Sequence, residues 1–254
     1  MTSKQRTDSI ERFIRVHQYA DLHTLAARFG GSLSTVRRAL DQLEEHGVVR
    51  RHHGGASLVE TDVVAQEYDF IARDQRHPDE KFAIASLVAG QVQPGMTVIL
   101  DGGSTTYAVA RLLAEKRLQV ITNSLPVASL FSEVGSVETI VTGGSIYSRL
   151  GVLLGPMCED SFGQVHADLA ILGGAGITEN GIWNHNALIV AAQRKMIAAA
   201  ERTIFALDNS KFGRKALSLT TPFAARFTIV TDTRPTAAVA RAINAAGARL
   251  TLAG

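Results

Sequence analysis

The chain of 254 residues has little of several features that define other classes of protein. Cys158 is its single cysteine, so no disulfide can form within the chain, as is usual in a reducing cytoplasm. No apolar run approaches the roughly 20 residues that a membrane-spanning helix needs. The N-terminal stretch MTSKQRTDSIERF is polar and lacks the apolar segment of a signal peptide. We therefore expect a cytoplasmic protein with no membrane partner.

Signatures of nucleotide, RNA and metal binding are also missing. The sequence has no P-loop pattern, and no G-x-G-x-x-G follows a predicted first strand, which argues against a dinucleotide. Aromatic residues make up only 6% of the chain and form no platform for single-stranded RNA. No cysteine or carboxylate lies at ligand spacing from His52 and His53, so a metal site there is disfavoured. We expect no metal and no cofactor.

The charge of the chain is small but unevenly distributed. The formal net charge is +2, and residues 1–60 hold nine lysines and arginines against seven acidic residues. This first segment therefore carries the whole positive excess, together with five of the eight histidines. A mild basic bias is weak evidence for nucleic acid, so the arrangement of the residues has to decide.

Residues 1–58 have the pattern of a winged helix-turn-helix domain. Three helices are predicted, the second beginning at the N-cap Asp21 and the third, after a pair of glycines, at the N-cap Ser32. The run VVRRHHGGAS then predicts a short β-hairpin that turns at or near its glycine pair. Helix, helix, tight turn, helix and hairpin is the order found in winged DNA-binding domains.

The predicted third helix separates an apolar face from a polar one. Val36, Leu40 and Leu43 lie on one side at helical spacing, whereas Ser34 and Arg38 lie on the other. Arginine can bind guanine bidentately, and hydroxyls and arginines also hold phosphates. The candidate DNA-binding residues of the helix and the wing are Ser32, Ser34, Thr35, Arg37, Arg38, Arg50, Arg51 and His53.

A simpler interpretation of the two arginines is available. Arg37 and Arg38 could be solvated helix charges that pair with Asp41 or Glu45, and an isolated arginine pair would favour this interpretation. The two preceding helices, the glycine turn and the hairpin favour DNA binding instead.

After a connector predicted at 59–80, which Pro78 interrupts, residues 81–254 alternate between strand-like and helical segments. Six apolar runs, MTVIL, LQVIT, VETIV, ADLAIL, RTIFA and RFTIV, have predicted helices between several of them. This alternation predicts a mainly parallel sheet covered by helices. The predicted fold class is α/β, with an N-terminal winged helix-turn-helix and a C-terminal mainly parallel α/β sheet domain.

The stretch LDGGSTT has the composition of an anion-binding turn. Asp101 ends a predicted strand, two glycines follow, and Ser104, Thr105 and Thr106 begin a predicted helix. Glycines let backbone N–H groups face an anion, and a helix N-terminus adds partial positive charge. The alternative is an ordinary strand-to-helix turn with no ligand.

Other loops strengthen the case for a ligand site, because several polar or glycine-rich loops follow predicted strands. In parallel sheets such loops converge at the carboxyl ends of the strands. Lys211 would supply a second charge for a phosphate, or else be a surface lysine, and His185 would contribute to the pocket or be a core histidine. The candidate effector-binding residues are Asp101, Gly102, Gly103, Ser104, Thr105, Thr106, Asn123, Gly144, Gly174, His185 and Lys211.

The motifs of both halves resemble the DeoR family of transcriptional regulators. The run TVRRAL and the run RHHGGA match the family's third helix and wing, while LDGGSTT, TN, GG, GGAGI and DNSKF match its effector domain. The resemblance implies an effector domain similar in fold to ribose-5-phosphate isomerase and related sugar-phosphate proteins. The chain departs from the family at Ala39, usually Asp, and at Ile189 and Gln193, where many members have Glu and Lys.

The sequence therefore predicts a transcriptional regulator. We expect a repressor of a sugar or polyol catabolic operon that binds double-stranded operator DNA and is released by a phosphorylated sugar or polyol. One helix-turn-helix per chain predicts a homodimer or homotetramer, because operators contain paired half-sites. The predicted domains are 1–58 for DNA, 59–80 as connector, and 81–254 for effector binding and oligomerisation. The alternative is a sugar-phosphate isomerase-like enzyme with an added N-terminal module. Such an enzyme would need an acid/base pair near the LDGGSTT turn, which is called the phosphate loop below.

Overall fold

The computed structural model describes residues 3–17, 19–45, 47–52, 54–58 and 70–253. The chain divides into two compact units, Met1–Tyr68 and Asp69–Gly254. The described residues form one apolar core in the first unit and two in the second.

The described residues of the first unit form three helices and a small sheet: α1 (Ser3–His17), β1 (Tyr19–Asp21), α2 (Leu22–Phe29), α3 (Leu33–Glu45), β2 (Val49–His52) and β3 (Gly55–Leu58). The strands are antiparallel in the order β1-β3-β2. Asp21 is the N-cap of α2, because its carboxylate accepts a hydrogen bond from the Thr24 amide at 2.9 Å. The hairpin β2-β3 was predicted. Strand β1 was not, because three residues are too few to show an alternating pattern.

A parallel sheet of seven strands forms the centre of the second unit. Across the sheet the strands are β15 (Arg249–Leu252), β14 (Phe227–Thr231), β12 (Ala200–Ala206), β9 (Ala167–Leu172), β4 (Thr97–Leu100), β5 (Leu118–Thr122) and β6 (Val137–Val141). All neighbouring pairs are parallel. The six predicted apolar runs each form one strand, and β15 is an unpredicted addition at one edge. The predicted mainly parallel α/β sheet is confirmed.

Helices cover both faces of this sheet: α4 (Phe70–Asp74), α5 (Pro78–Ala89), α6 (Ser104–Leu113), α7 (Leu125–Ser132), α8 (Pro156–Gly163), α9 (Ala187–Ala198) and α10 (Ala237–Ala245). Successive residues of a strand point to opposite faces. Leu169 and Ile171 of β9 therefore join the core under α5, α6 and α7. Ala170 and Leu172 join the core under α8, α9 and α10.

Two small antiparallel sheets lie beside the carboxyl ends of the parallel strands. One pairs β7 (Ser145–Tyr147) with β8 (Val152–Leu154), and the other contains β10 (Gly176–Thr178), β11 (Gly181–Asn184) and β13 (Ser218–Thr221). The Leu153 amide donates to the Asn123 carbonyl at 2.8 Å, and the Ala175 amide donates to the Trp183 carbonyl at 2.9 Å. These sheets, which were not predicted, fix the loops after β5 and β9.

The boundary between the units differs from the expected connector at 59–80. Residues 70–80 fold with the second unit, as α4 and the beginning of α5. Pro78, expected to interrupt the chain, lies in the first turn of α5, where its missing N–H costs no helical hydrogen bond. Residues 59–69 lie outside the described part of the chain.

Candidate functional site

The polar face of α3 is exposed to solvent. Val36, Leu40 and Leu43 are buried in the core of the first unit, whereas Arg37 and Arg38 are exposed. Within the described residues these two arginines form no ion pair, and Asp41 is paired with a different residue. Two guanidinium groups are therefore presented together on the solvent side of α3.

Three hydroxyl groups cluster at the beginning of α3. The Ser32 hydroxyl accepts a hydrogen bond from the Thr35 amide at 3.3 Å, which makes Ser32 the N-cap. The same oxygen lies 2.7 Å from the Ser34 hydroxyl and 3.0 Å from the Thr35 hydroxyl. Helix-turn-helix proteins present this end of the third helix to the major groove.

In the wing, Arg51 of β2 folds back against α3. Its guanidinium forms an ion pair with Asp41, and its backbone amide donates to the Glu44 carboxylate at 2.8 Å. A DNA phosphate would have to compete with Asp41 for this guanidinium. Arg50 lies on β2 but its side chain is outside the described part of the structure, and His53 lies outside the described residues altogether.

The candidate effector residues follow neighbouring strands of the large sheet. Asp101 follows β4, Asn123 follows β5, Gly144 comes after β6, Gly174 after β9 and Lys211 after β12. The five strands are adjacent, in the order β12-β9-β4-β5-β6. Because they are parallel, their loops share one edge of the sheet, which is where ligands bind in open α/β folds.

Asp101 is a buried anchor at this edge. One carboxylate oxygen accepts from the Gly102 amide at 2.8 Å, and the other accepts from the Gly173 amide at 3.3 Å and from Gln193 Nε2 at 2.6 Å. Burial raises the pKa of Asp101 to about 6, against the lowering effect of these hydrogen bonds. The carboxylate thus joins the loops after β4 and β9 to helix α9.

Gln193 completes this anchor. Its Nε2 also donates to the Gly173 carbonyl at 3.1 Å, and its Oε1 accepts from Asn184 Nδ2 and from the Thr220 hydroxyl, each at 3.2 Å. The amide therefore has partners on both its nitrogen and its oxygen, although it is fully buried. In the sequence, Gln193 was noted only as a departure from the family pattern. Its burial and contacts show that it positions the Asp101 carboxylate and the loop at Gly173.

Two glycines shape the turn between β4 and α6. A β-carbon at Gly102 would lie 2.1 Å from Cγ1 of Val152, so only glycine fits against β8. Gly103 has a φ of +148°, which favours glycine, and its carbonyl accepts from the Thr106 hydroxyl at 2.8 Å. Ser104 and Thr105 follow in the buried first turn of α6. The first amides of a helix have no intrahelical acceptor, so this turn points donors outward.

The loops after β5, β6 and β9 are closely packed. Asn123 is buried, and its Nδ2 donates to the Leu153 carbonyl at 3.0 Å. Gly144 lies against Leu154 of β8, and Gly174 lies against Ile182 of β11. These residues bring the small sheets close to the large one.

Asp208 and Lys211 form an acidic and basic pair after β12. The Lys211 ammonium lies 4.0 Å from a carboxylate oxygen of Asp208, which is buried. Burial acts to raise the pKa of Asp208, but Lys211 and hydrogen bonds from Ser210 outweigh it and hold that pKa below its ordinary value. Asp208 is therefore ionised at neutral pH and orients the lysine.

His185 lies between β11 and α9, beside the anchor. It is half-buried, and its backbone amide donates to the Asn184 side chain at 3.0 Å. Asn184 in turn contacts Gln193. His185 is thus linked through one residue to the network around Asp101.

Lys81 belongs to this region but was not singled out in the sequence. It is buried in the first turn of α5, and its ammonium donates to the carbonyl oxygens of Arg73 and Arg76, and of Asp74 at 3.4 Å. Burial lowers the pKa of Lys81 to about 8, although Asp208 and Asp74 oppose that change. The only signal in the sequence was a lysine among the apolar residues of a helix.

Within the part of the chain that the structure describes, no group of three His, Cys, Asp or Glu residues could hold a metal ion. None of the described helices is both long and apolar enough to cross a membrane.

Comparison with known proteins assigns both units to one family. Residues 6–62 match the model of the DeoR-like helix-turn-helix domain, and residues 76–233 match the model of the DeoR C-terminal sensor domain. The chain belongs to the DeoR family. The resemblance in the sequence motifs is thus confirmed.

Curated relatives of this DeoR-family chain include repressors and an activator. The glycerol-3-phosphate regulon repressor of Escherichia coli K12 is 33% identical over 219 residues, covering 85% of this chain and 86% of the relative. The transcriptional repressor AccR of Agrobacterium fabrum is 34% identical over 235 residues, covering 91% and 90%. The L-fucose operon activator of Haemophilus influenzae is 29% identical over 213 residues, covering 84% and 85%.

Among solved structures, the chain is similar to ribose 5-phosphate isomerase A from Methanocaldococcus jannaschii. The TM-score is 0.39 and the identity 18%, over 54% of this chain and 55% of that one. A likeness of this size says nothing about what the DeoR-family chain binds.

Proposed function

We propose that this DeoR-family protein is a transcriptional repressor released from its operator by a phosphorylated sugar or polyol. The first unit would bind the DNA, and the carboxyl edge of the large sheet would bind the effector. Relatives named as repressors at 33–34% identity over most of the chain support this assignment.

The effector site rests on the start of α6 and on Lys211, which follow two strands of the same sheet edge. The turn of Gly102 and Gly103 leads into Ser104 and Thr105, which are buried in the first turn of α6. Lys211 comes after β12, which is separated from β4 by β9 in the same sheet. Backbone donors, hydroxyls and one cation suit a phosphate. The proposed effector residues are Asp101, Gly102, Gly103, Ser104, Thr105, Thr106, Asn123, Gly144, Gly174, His185 and Lys211, with Asp101 acting as an anchor.

The proposed DNA interface is the N-terminal half of α3 together with the wing. Exposed Arg37 and Arg38 and the hydroxyl cluster at Ser32 supply base and phosphate contacts. Each chain has one such interface, so we propose at least a dimer on paired half-sites.

We further propose that the sensor site binds its ligand without turnover. Asp101 has a raised pKa, but both of its oxygens accept hydrogen bonds from Gly102, Gly173 and Gln193. Asp208 is ionised and paired with Lys211. A general base must reach a carbon-bound proton of the substrate, and both carboxylates are engaged inside the protein. Incubation with phosphorylated pentoses and hexosamines should therefore give no isomerised product.

The test of the proposal places a negative charge in the phosphate loop. Thr105→Glu should repel a phosphate, so the variant should bind an operator selected from random duplex DNA but fail to be released. A ligand shifts an equilibrium only through its different affinity for the two states, and here that difference is lost. Thr105→Ala is the control, because a carboxylate could instead mimic phosphate and release the DNA without effector. If both variants respond to the effector like wild type, the loop is not the effector site.

A further inference from the structure

Arg51 of the wing is directed at the helix that carries the proposed base contacts. Side chains at alternate positions of a strand share one face, so Arg51 lies on the same face of β2 as Val49. Val49 is buried in the apolar core of the first unit, and Arg51 is itself partly buried. The guanidinium of Arg51 forms an ion pair with Asp41 of α3. The side chain therefore turns toward α3 and the body of the unit.

The backbone of Arg51 is held by the same helix. Its amide donates to the Glu44 carboxylate at 2.8 Å. Asp41 and Glu44 are three residues apart and so share a side of α3, where one binds the side chain of Arg51 and the other its backbone. At the turn into the wing, the Val48 amide donates to the Leu43 carbonyl at 2.8 Å. The first strand of the wing is thus tied to α3 at residues 48 and 51.

Asp41 lies beside the two exposed arginines of α3. It follows Arg38 by three residues and Arg37 by four, and residues at these spacings are neighbours on the surface of a helix. Asp41 is partly buried, whereas both arginines are exposed. The contact between Asp41 and Arg51 therefore fixes the wing next to the part of α3 that carries the proposed base contacts.

We propose that Arg51 is a positioning residue of the DNA interface, which fixes the wing against α3 through Asp41, and that it is not a phosphate ligand. This inference rests on the proposed function. The two roles predict opposite effects when Asp41 is removed. A guanidinium that binds phosphate would lose its competitor, so DNA binding would become tighter. A guanidinium that positions the wing would lose its anchor, so binding to the operator would become weaker.

The test uses full-length variants and two labelled duplexes, an operator selected from random DNA and an unrelated sequence. Asp41→Ala removes the anchor, Arg51→Ala removes the guanidinium, and a double variant combines them. Asp41→Glu keeps a carboxylate, and Glu45→Ala is the control because it removes an exposed carboxylate from the same helix. Fluorescence anisotropy gives the dissociation constants over a range of salt concentrations. Thermal unfolding checks that each variant folds.

We expect Asp41→Ala and Arg51→Ala each to weaken operator binding by about fivefold, the upper range for a half-exposed ion pair. The loss on the unrelated duplex should be smaller. Because the two side chains act as one pair, the double variant should lose no more than either single variant. Asp41→Glu should retain most of the affinity, and Glu45→Ala should not weaken operator binding. The salt dependence of Arg51→Ala should keep the slope of wild type, because no phosphate contact is lost.

The outcomes separate this inference from the proposed function. If wild type enriches no operator, the proposed function fails and the role of Arg51 fails with it. If Asp41→Ala binds the operator more tightly than wild type, Arg51 is a phosphate ligand, so the inference is wrong and the proposed function stands. The same holds if Arg51→Ala weakens both duplexes equally and lowers the salt slope by about one unit. Single variants that bind like wild type, or losses that add in the double variant, would also overturn the inference.

Discussion

Replacing Gln193 by glutamate should make the stability of the second unit strongly dependent on pH. The Gln193 Nε2 atom lies 2.6 Å from the Asp101 carboxylate and 3.1 Å from the Gly173 carbonyl. Glutamate has the same shape but would direct an oxygen at both acceptors. Two buried carboxylates so close cannot both be ionised, so the pair would retain one proton to a higher pH than Asp101 does alone.

The size of this pH dependence follows from the difference in the pKa of Asp101 between the folded and unfolded states. The pKa of Asp101 rises from 3.8 to about 6, so the folded protein holds an extra proton between these values. The free energy of unfolding therefore falls as pH rises through that window, by about 3 kcal/mol in total, and is level above it. If the carboxyl groups at positions 101 and 193 of the Gln193→Glu variant share one proton up to about pH 8, the free energy of unfolding falls by roughly 3 kcal/mol more.

Urea unfolding followed by circular dichroism checks this prediction. At about pH 5.5 the Gln193→Glu variant should be nearly as stable as wild type. At about pH 8 it should be less stable than wild type by ~3 kcal/mol. Gln164→Glu, at an exposed position, is the matched control and should show no such trend. The double variant Asp101→Asn/Gln193→Glu should regain part of the stability at high pH, because the asparagine amide can donate to the glutamate. A constant difference between wild type and Gln193→Glu at all pH values would refute the reasoning.

Three further predictions concern other parts of the molecule. Arg38→Ala should weaken operator binding by about 1–3 kcal/mol if Arg38 makes one bidentate base contact, and anisotropy with labelled operator measures this; unchanged affinity would contradict the proposed interface. Gly102→Ala should destabilise the second unit by about 1–3 kcal/mol, because its new methyl overlaps Val152, and Val152→Ala should restore stability in chemical unfolding. The fragment 69–254 should fold and sediment as an oligomer, and a monomer would place the oligomer contacts elsewhere.

The central sheet and the loops of the candidate site could be predicted from the sequence. Strands buried on both faces are continuously apolar, which makes runs such as ADLAIL and RTIFA easy to recognise. Parallel pairing then places the loops after them at one edge, without knowledge of any side-chain contact. Asp101, Asn123 and Lys211 follow such runs, so their positions at that edge could be inferred.

The elements that the sequence did not predict depend on contacts distant in the chain. Helix α4 is only five residues long, and so short a helix is stable only through tertiary contacts such as Phe70 with Tyr107. The connector predicted at 59–80 therefore included residues that form α4 in the structure. Gln193 is separated from Asp101 by 92 residues along the chain, so its role could be found only once the fold had brought them together. The same holds for Lys81, whose partners are backbone carbonyls that no residue pattern reveals.

The central claim is that a phosphorylated sugar or polyol bound at the sheet edge releases the DNA held by α3. The most direct measurement is the dissociation constant of full-length protein for its selected operator, with and without each phosphorylated compound and its unphosphorylated counterpart. At least one phosphorylated compound should weaken operator binding by about tenfold or more, the scale of a typical allosteric coupling, while its unphosphorylated counterpart has no effect. Operator affinity that stays the same with every phosphorylated sugar and polyol would contradict the account.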